Sequence, residues 1–173
     1  GMLHAFDAAT GRERWAFIPS GTLRELWRSA DVAFSTGFRY LLDGTPVAGD
    51  ICPSAPGARC AASDWRTILV GGLGAAGREY YALDITQPEQ PKFLWRFAVD
   101  NEANLGYAVG KPIITKRRDG TWVVVISAGY NNINPGNGRG MVFVLHAATG
   151  AVLKRIDTGA GSTTSPAALT IRM

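Results

Sequence analysis

The stretch TILVGGLGAAGREYYALDIT, Thr67 to Thr86, decides the fold. Its apolar run Ile68-Leu69-Val70 leads into Gly72-x-Gly74-x-x-Gly77, the spacing of a dinucleotide-binding loop. In such a loop the glycines let the backbone approach a pyrophosphate, which sits on the N-terminus of a following helix. The residues after Gly77 must then read as a helix. They do not. REYYALDITQPEQP has adjacent tyrosines, β-favouring Ile85 and Thr86, then Pro88 and Pro91. Too few residues lie between Gly77 and Pro88 for a crossover helix, and strand, turn, strand fits better.

Internal repeats say what that strand belongs to. LHAFDAATGRERW from Leu3, YYALDITQPEQPKFLW from Tyr80 and VFVLHAATGAVLKRI from Val142 place Asp7, Asp84 and His146 in register. Each has a strand before the turn and a strand after it. The second strand carries Trp15 and Trp95 in the first two copies, and Lys154-Arg155-Ile156 in the third. Upstream, WRTILVGG and WVVVISAG occupy equivalent places, and before them GTPVAGD, GKPIITK and the closing TSPAALT align Pro46, Pro112 and Pro166. Proline suits the beginning of a strand, where a missing N–H costs least.

Four antiparallel strands per unit, repeated, describe β-propeller blades. The expected fold is all-β, a partial propeller of the quinoprotein-like repeat type. Residues 44–97 and 110–156 read as complete blades, 1–18 as the last two strands of a preceding blade, and 164–173 as the first strand of a following one. GGLGAAG is then the turn between the second and third strands of a blade. Residues 19–43 form an insertion. Its PSGTLRELWRSA carries a capping box, Thr22-x-x-Glu25, with Leu23, Leu26, Trp27 and Ala30 at helical spacing, so a short helix packing across a blade edge is expected. Asp7 and Asp84 are expected to accept hydrogen bonds from turn N–H groups, and Trp15 and Trp95 to pack between blades. Unpaired strand edges should either bring 1–18 against 164–173 or associate two copies.

Composition narrows the function. The chain is 46% hydrophobic and 18% charged with 21 glycines, a globular, turn-rich make-up. The net charge is +4, but the basic residues are scattered, and the densest cluster, Lys116-Arg117-Arg118, precedes Asp119-Gly120 as a hairpin tip would. Nucleic-acid binding wants a basic stripe with interleaved aromatics, which is absent. No apolar run reaches the length of a membrane span. Cys52 and Cys60 flank PSAPGAR, a loop sequence. They read either as a local disulfide formed in an oxidising compartment, stabilising by about 2–3 kcal/mol, or as two free thiols. No second Cys/His pair lies nearby to make a metal site. The start lacks the pattern of a signal peptide and suggests a segment of a longer protein.

GMLHAFDAATGRERWAFIPSG, WRTILVGGLGAAGREYYALDIT, LGYAVGKPIITKRRDGTWVVVISAGYN and GMVFVLHAATGAVLKRIDTG together resemble the C-terminal propeller of the PilY/PilC family, type IV pilus biogenesis factors and tip-associated adhesins. The resemblance runs through most of the chain. It implies a non-catalytic, exported protein at the outer membrane, cell surface or pilus tip of a Gram-negative bacterium. It implies contact with pilins or minor pilins and with host or abiotic surfaces, in pilus extension, attachment and twitching motility. It also implies a calcium loop of the Asp-x-Asp-x-Asp/Asn-Gly-x-x-Asp type in the parent domain. No such loop occurs here. DNEANLG, with Asp100, Asn101, Glu102 and Asn104, has the wrong spacing and reads as an inter-blade turn, and YNNINPGNGRG, oxygen-rich but without a carboxylate, as a loop tip. No cofactor or metal ligand is assigned to this segment.

Two other classes share the repeat. Ala5 to Trp15 also resembles quinoprotein dehydrogenases, which hold a quinone and calcium and use a carboxylate base. Here Asp7, Asp50, Asp64, Asp84 and Asp157 sit mostly at strand ends or turns. A non-catalytic outer-membrane assembly scaffold is the other alternative, but it lacks the FIPSG and VGGLGAAGR signatures. His4 and His146 read as hydrogen-bonded blade residues, and Ser127 and Ser162 lack a nucleophile-elbow context.

Overall fold

The computed structural model describes residues 1–54 and 58–171. Among the described residues, ten strands form three antiparallel sheets. β1 (Leu3–Phe6) and β2 (Glu13–Phe17) make an N-terminal hairpin. β3 (Val47–Ile51), β4 (Arg66–Gly72), β5 (Glu79–Asp84) and β6 (Lys92–Ala98) form a four-stranded meander in chain order. β7 (Ile113–Lys116), β8 (Trp122–Ser127), β9 (Met141–His146) and β10 (Val152–Asp157) form a second one. Pro46 and Pro112 each stand immediately before an innermost strand, where no ladder N–H is needed.

The sheets stack face to face. The first meander is the middle layer, buried on both sides, and so β5 reads EYYALD without a polar alternation. One face sends Ile68, Val70, Tyr80, Ala82, Trp95 and Phe97 against Val124, Ile126, Phe143 and Leu145 of the second meander. Phe97 and Phe143 meet at 5.2 Å between ring centroids. The opposite face sends Tyr81 and Leu83 against Leu3, Trp15 and Phe17 of the hairpin, with Phe17 and Tyr81 at 5.2 Å. Each such fully buried side chain contributes roughly 1.5–3 kcal/mol. β9 is covered on one face only and keeps the alternation: Met141, Phe143 and Leu145 inward, Val142, Val144 and His146 outward.

The strand after Gly77 is antiparallel to β4, pairing Gly71 with Tyr81 and Gly72 with Tyr80. The glycine pair is explained by those rings. A Cβ on Gly71 would lie 2.5 Å from the Tyr81 hydroxyl, and one on Gly72 2.8 Å from Tyr80 Cε1 and 2.7 Å from the Ala108 carbonyl. The glycines of the nucleotide-like spacing therefore make room for the chain's own tyrosines.

Three expectations need correcting. The insertion does not hold one amphipathic helix. It has a single α-turn, α1 (Ser20–Leu23), and a separate 3-10 turn over Leu26–Ala30. The N-cap is Pro19, the Thr22 hydroxyl donates back to the Pro19 carbonyl at 2.8 Å, and Glu25 pairs with Arg28 instead of capping. Leu23 and Trp27, expected to pack, are exposed. Of the two outcomes expected for the free strand edges, pairing of 1–18 with 164–173 does not occur among the described residues. Leu169 instead forms an isolated antiparallel bridge to Gly129, just as Ala108 bridges Gly74, and 164–171 contains no strand. Leu169 thus takes the place of Ala108 in the connection leaving a sheet, so the alignment of Pro166 with Pro112 is out of register. Residues 172 and 173 of the expected strand lie outside the described residues. The loop YNNINPGNGRG buries Asn132 at its base.

Candidate functional site

The repeat positions close turns and join sheets. Asp7 Oδ1 accepts from Ala9 N–H at 3.0 Å and from Thr10 N–H and Oγ1 at 2.8 Å. Its carboxyl is held well below the usual range, first by the Arg14 hydrogen bond and then by Thr10. Asp84 Oδ1 accepts from Thr86 N–H at 2.9 Å. His146 Nδ1 lies 3.2 Å from Thr149 Oγ1, in a turn whose backbone bonds repeat those of Asp7. Trp15 Nε1 donates to the Pro88 carbonyl, and Trp95 Nε1 to the Ala147 carbonyl, both at 2.8 Å. Each tryptophan thus latches its sheet to the turn of the next one. Arg14 adds an ion pair to Glu89. Cys52 and Cys60 are joined as a disulfide, with Cα atoms 6.3 Å apart, at the end of β3.

The acids weighed for cofactor chemistry are spoken for. Asp50 accepts from Thr67 Oγ1, Asp64 from Ala61 N–H, and Asp157 pairs with Arg139 at 3.0 Å. The DNEANLG residues do not fit calcium. Asp100 pairs with Arg96 and buried Glu102 with Arg155, each at 2.7 Å. Asn101 Oδ1 accepts from Ala98 N–H and Asn104 Oδ1 from Asn137 N–H. These oxygens are already engaged and are spread over separate partners.

At the end of the sheets that carries the β4–β5 turn, that turn grips both ends of the insertion. Glu79, buried at 3% exposure, accepts from Ser20 Oγ at 3.1 Å, from Gly21 N–H at 3.4 Å and from Arg96 Nε at 2.8 Å. The Arg96 guanidinium is held further into its charged form, chiefly by Glu79. Tyr81 next door is pushed up to about 12, first by burial and then by the Glu79 charge. At the other end, Asp43 Oδ1 accepts from Ala75 N–H at 2.7 Å, and Asp43 N–H donates to the Leu73 carbonyl at 3.3 Å. Gly74 has φ +67°, the left-handed region glycine favours, and sits against the Asp43 carboxylate with no room for a side chain.

Between these grips, residues 22–42 are presented from a rigid base, an arrangement in which loops carry function. Thr22 and Leu41 are buried at the base. Above it Trp27, Phe38 and Tyr40 are 59%, 60% and 54% exposed, and Val32 is fully exposed. Phe34, Phe38 and Tyr40 brace one another edge to face, at 5.5 and 5.3 Å. The Arg28 guanidinium lies 4.8 Å over Trp27. Sequence reasoning missed the two grips. The only signal was Glu79, a carboxylate opening an otherwise apolar strand, and its partners come from distant segments.

A sequence model of the PilY1 beta-propeller domain matches residues 1–171. The chain belongs to the PilY1 β-propeller family. It is 35% identical over 164 residues to a type IV pilus biogenesis factor PilY1 homolog of Xylella fastidiosa (strain Temecula1), covering 93% of this chain and 10% of that protein. It is 34% identical over 158 residues to the type IV pilus biogenesis factor PilY1 of Pseudomonas aeruginosa (strain UCBPP-PA14), covering 91% and 13%. The crystal structure of the P. aeruginosa PilY1 C-terminal domain superimposes with a TM-score of 0.69 at 32% identity, over 92% of this chain and 30% of that one. The chain thus spans about a tenth of the curated relatives' length. The four-stranded meanders are blades of a PilY1-type propeller. Among the described residues no helix is long and apolar enough to cross a membrane.

Proposed function

We propose that this chain is a non-catalytic sector of a type IV pilus factor, a stack of blades that presents loop 22–42 to other components of the pilus. Family membership over nearly the whole chain carries this reading. The geometry supports it: the acidic side chains of the turns serve as caps and ion pairs, and the large exposed apolar side chains of the insertion sit on a gripped loop. The proposed roles are pilus extension, surface attachment and twitching motility, at the surface or pilus tip of a Gram-negative bacterium, with pilins or minor pilins and a host or abiotic surface as partners. No cofactor is proposed for this sector. The inner edge of β1, which among the described residues pairs only with β2, is a proposed place for a further strand, from the parent chain or a second copy.

The experiment is an in-frame replacement of the loop by a Gly/Ser linker in the full-length protein of the parent bacterium. Normal protein export with reduced surface pili and reduced twitching is the expected result. Wild-type piliation and motility would remove the reading.

A further inference from the structure

We propose that the recess between α1 and the β4–β5 turn is a binding site for a monocarboxylate with a short apolar body, a free organic acid or the end of a peptide chain, recognised by Arg24 and Arg78. The proposal stands apart from the pilus reading and does not depend on it. The recess has a volume of about 610 Å³, and Arg24, Arg78, Glu79, Arg96 and Asp100 line it. Three guanidinium groups thus meet two carboxylates, which leaves one positive charge over. Arg96 takes up both acids, its Nε donating to Glu79 at 2.8 Å and its Nη2 to Asp100 at 2.7 Å. Glu79 is filled further by Ser20 Oγ and Gly21 N–H. Arg78 is held by residues outside the recess. Its Nη1 donates to the Asn134 carbonyl at 2.6 Å, and its guanidinium lies 5.5 Å over the Tyr107 ring. Arg24 shares the recess with both acids, but among the described residues neither comes within ion-pair distance of it. A guanidinium carries five N–H donors, so Arg24 and Arg78 keep most of theirs for an acceptor from outside.

The surplus charge and the lining give the ligand its class. The planar fork of a guanidinium matches a carboxylate with two parallel N–H···O bonds. One carboxylate offsets the surplus. A phosphate monoester carries about 1.5–2 negative charges and would turn the recess net negative beside buried Glu79. Three guanidinium groups repel a metal cation. Leu73, Ala98 and Val99 also line the recess and give the ligand's carbon chain an apolar wall.

The experiment titrates the isotope-labelled full chain at low salt and follows the backbone amide NMR signals of Gly77 and Val99. The probes, in separate arms, are butyrate, N-acetyl-alanyl-alanine, the C-terminal amide of that dipeptide, and methyl phosphate. The expected result is a saturable shift with butyrate or the dipeptide, about tenfold or more weaker binding of the amide and of methyl phosphate, and a loss of affinity as salt is raised. The tighter of the two carboxylates identifies the source, a chain end or a free acid. Arg24→Gln with Arg78→Gln should weaken carboxylate binding about tenfold or more, and Arg24→Gln alone several-fold. Arg24 is exposed, so the single variant should melt as wild type does and its lost affinity is then not a folding effect. Arg117→Gln, on the β7–β8 hairpin, should change nothing. No saturable shift with either carboxylate, equal binding of the amide, stronger binding of methyl phosphate, or wild-type affinity in the double variant overturns the proposal and leaves the pilus reading standing.

Discussion

The two complete blades spend their loops in opposite ways. In the first, the inner connection 52–65 is long and carries the disulfide, while the turn 73–78 is short and grips the insertion. In the second, the inner connection 117–121 is a tight hairpin at Gly120, while the turn 128–140 is long and grips itself. Asn132, buried at its base, donates to the Asn104 and Arg139 carbonyls at 2.9 and 2.8 Å. One turn is thus closed by the Asp43 carboxylate from outside and the other by the Asn132 amide from within. The lesson is that the four strands set the blade, and the loops are free to specialise once the glycine after the second strand keeps its left-handed geometry. Gly74 and Gly129 are that glycine, at φ +67° and +72°.

The largest expected effect separates those two glycines. A side chain at Gly129 would overlap the Tyr107 carbonyl, which is backbone and cannot step aside. Gly129→Ala should cost about 3 kcal/mol or more in denaturant unfolding, from backbone strain and overpacking together. Gly74→Ala first meets the Asp43 side chain, which can move. It should cost less, and adding Asp43→Ala should recover part of the loss. Equal costs would show that the two turns are constrained alike.

The disulfide tests the opposite end of the first blade. Replacing Cys52 and Cys60 with serine should lower stability by about 2–3 kcal/mol through the freed loop. A calorimetric trace unchanged from wild type would make the bridge ornamental.

Asn132→Ala removes two buried hydrogen bonds and should cost about 2 kcal/mol, with no dependence on salt. Glu79→Gln should instead show a loss that shrinks as salt rises, because Arg96 is partly exposed and screened. A salt-independent Glu79→Gln effect would place the grip in its hydrogen bonds to Ser20 and Gly21 and not in charge.

The smallest effect lies in the tyrosine pair. Tyr80 Oη donates to the Gly110 carbonyl at 3.0 Å, whereas the buried Tyr81 hydroxyl has no partner among the described residues. Tyr80→Phe should cost about 1 kcal/mol, and Tyr81→Phe about nothing or a slight gain. Tyr81 also sets an alkaline limit. Its folded pKa of about 12 lies above the ordinary value near 10, so its share of stability is complete below pH about 10 and is lost as pH rises toward 12. Stability measured across that window should fall less steeply in Tyr81→Phe than in wild type.

Much of the fold was legible because it is periodic. The ALD-type strand, its turn and the following tryptophan recur, and a recurring pattern reports a supersecondary unit wherever the unit must bury the same faces. The expected helix failed for a local reason. Leu23, Leu26, Trp27 and Ala30 keep helical spacing, but nothing stands opposite Leu23 and Trp27 to reward it, and a short helix without a packing partner is marginal. The C-terminal register slipped because a proline in a connecting segment looks like a proline before a strand.

By itself the sequence determined which residues alternate, where the chain turns, and that no helix follows Gly77, since those follow from side-chain size and local backbone preference. Only the tertiary structure decided that Gly71 and Gly72 serve Tyr80 and Tyr81, that Glu79 and Asp43 grip the insertion, and that Asn132 lies buried. These depend on contacts between residues far apart in the chain, where geometry and the cost of an unpaired buried polar group choose the partner.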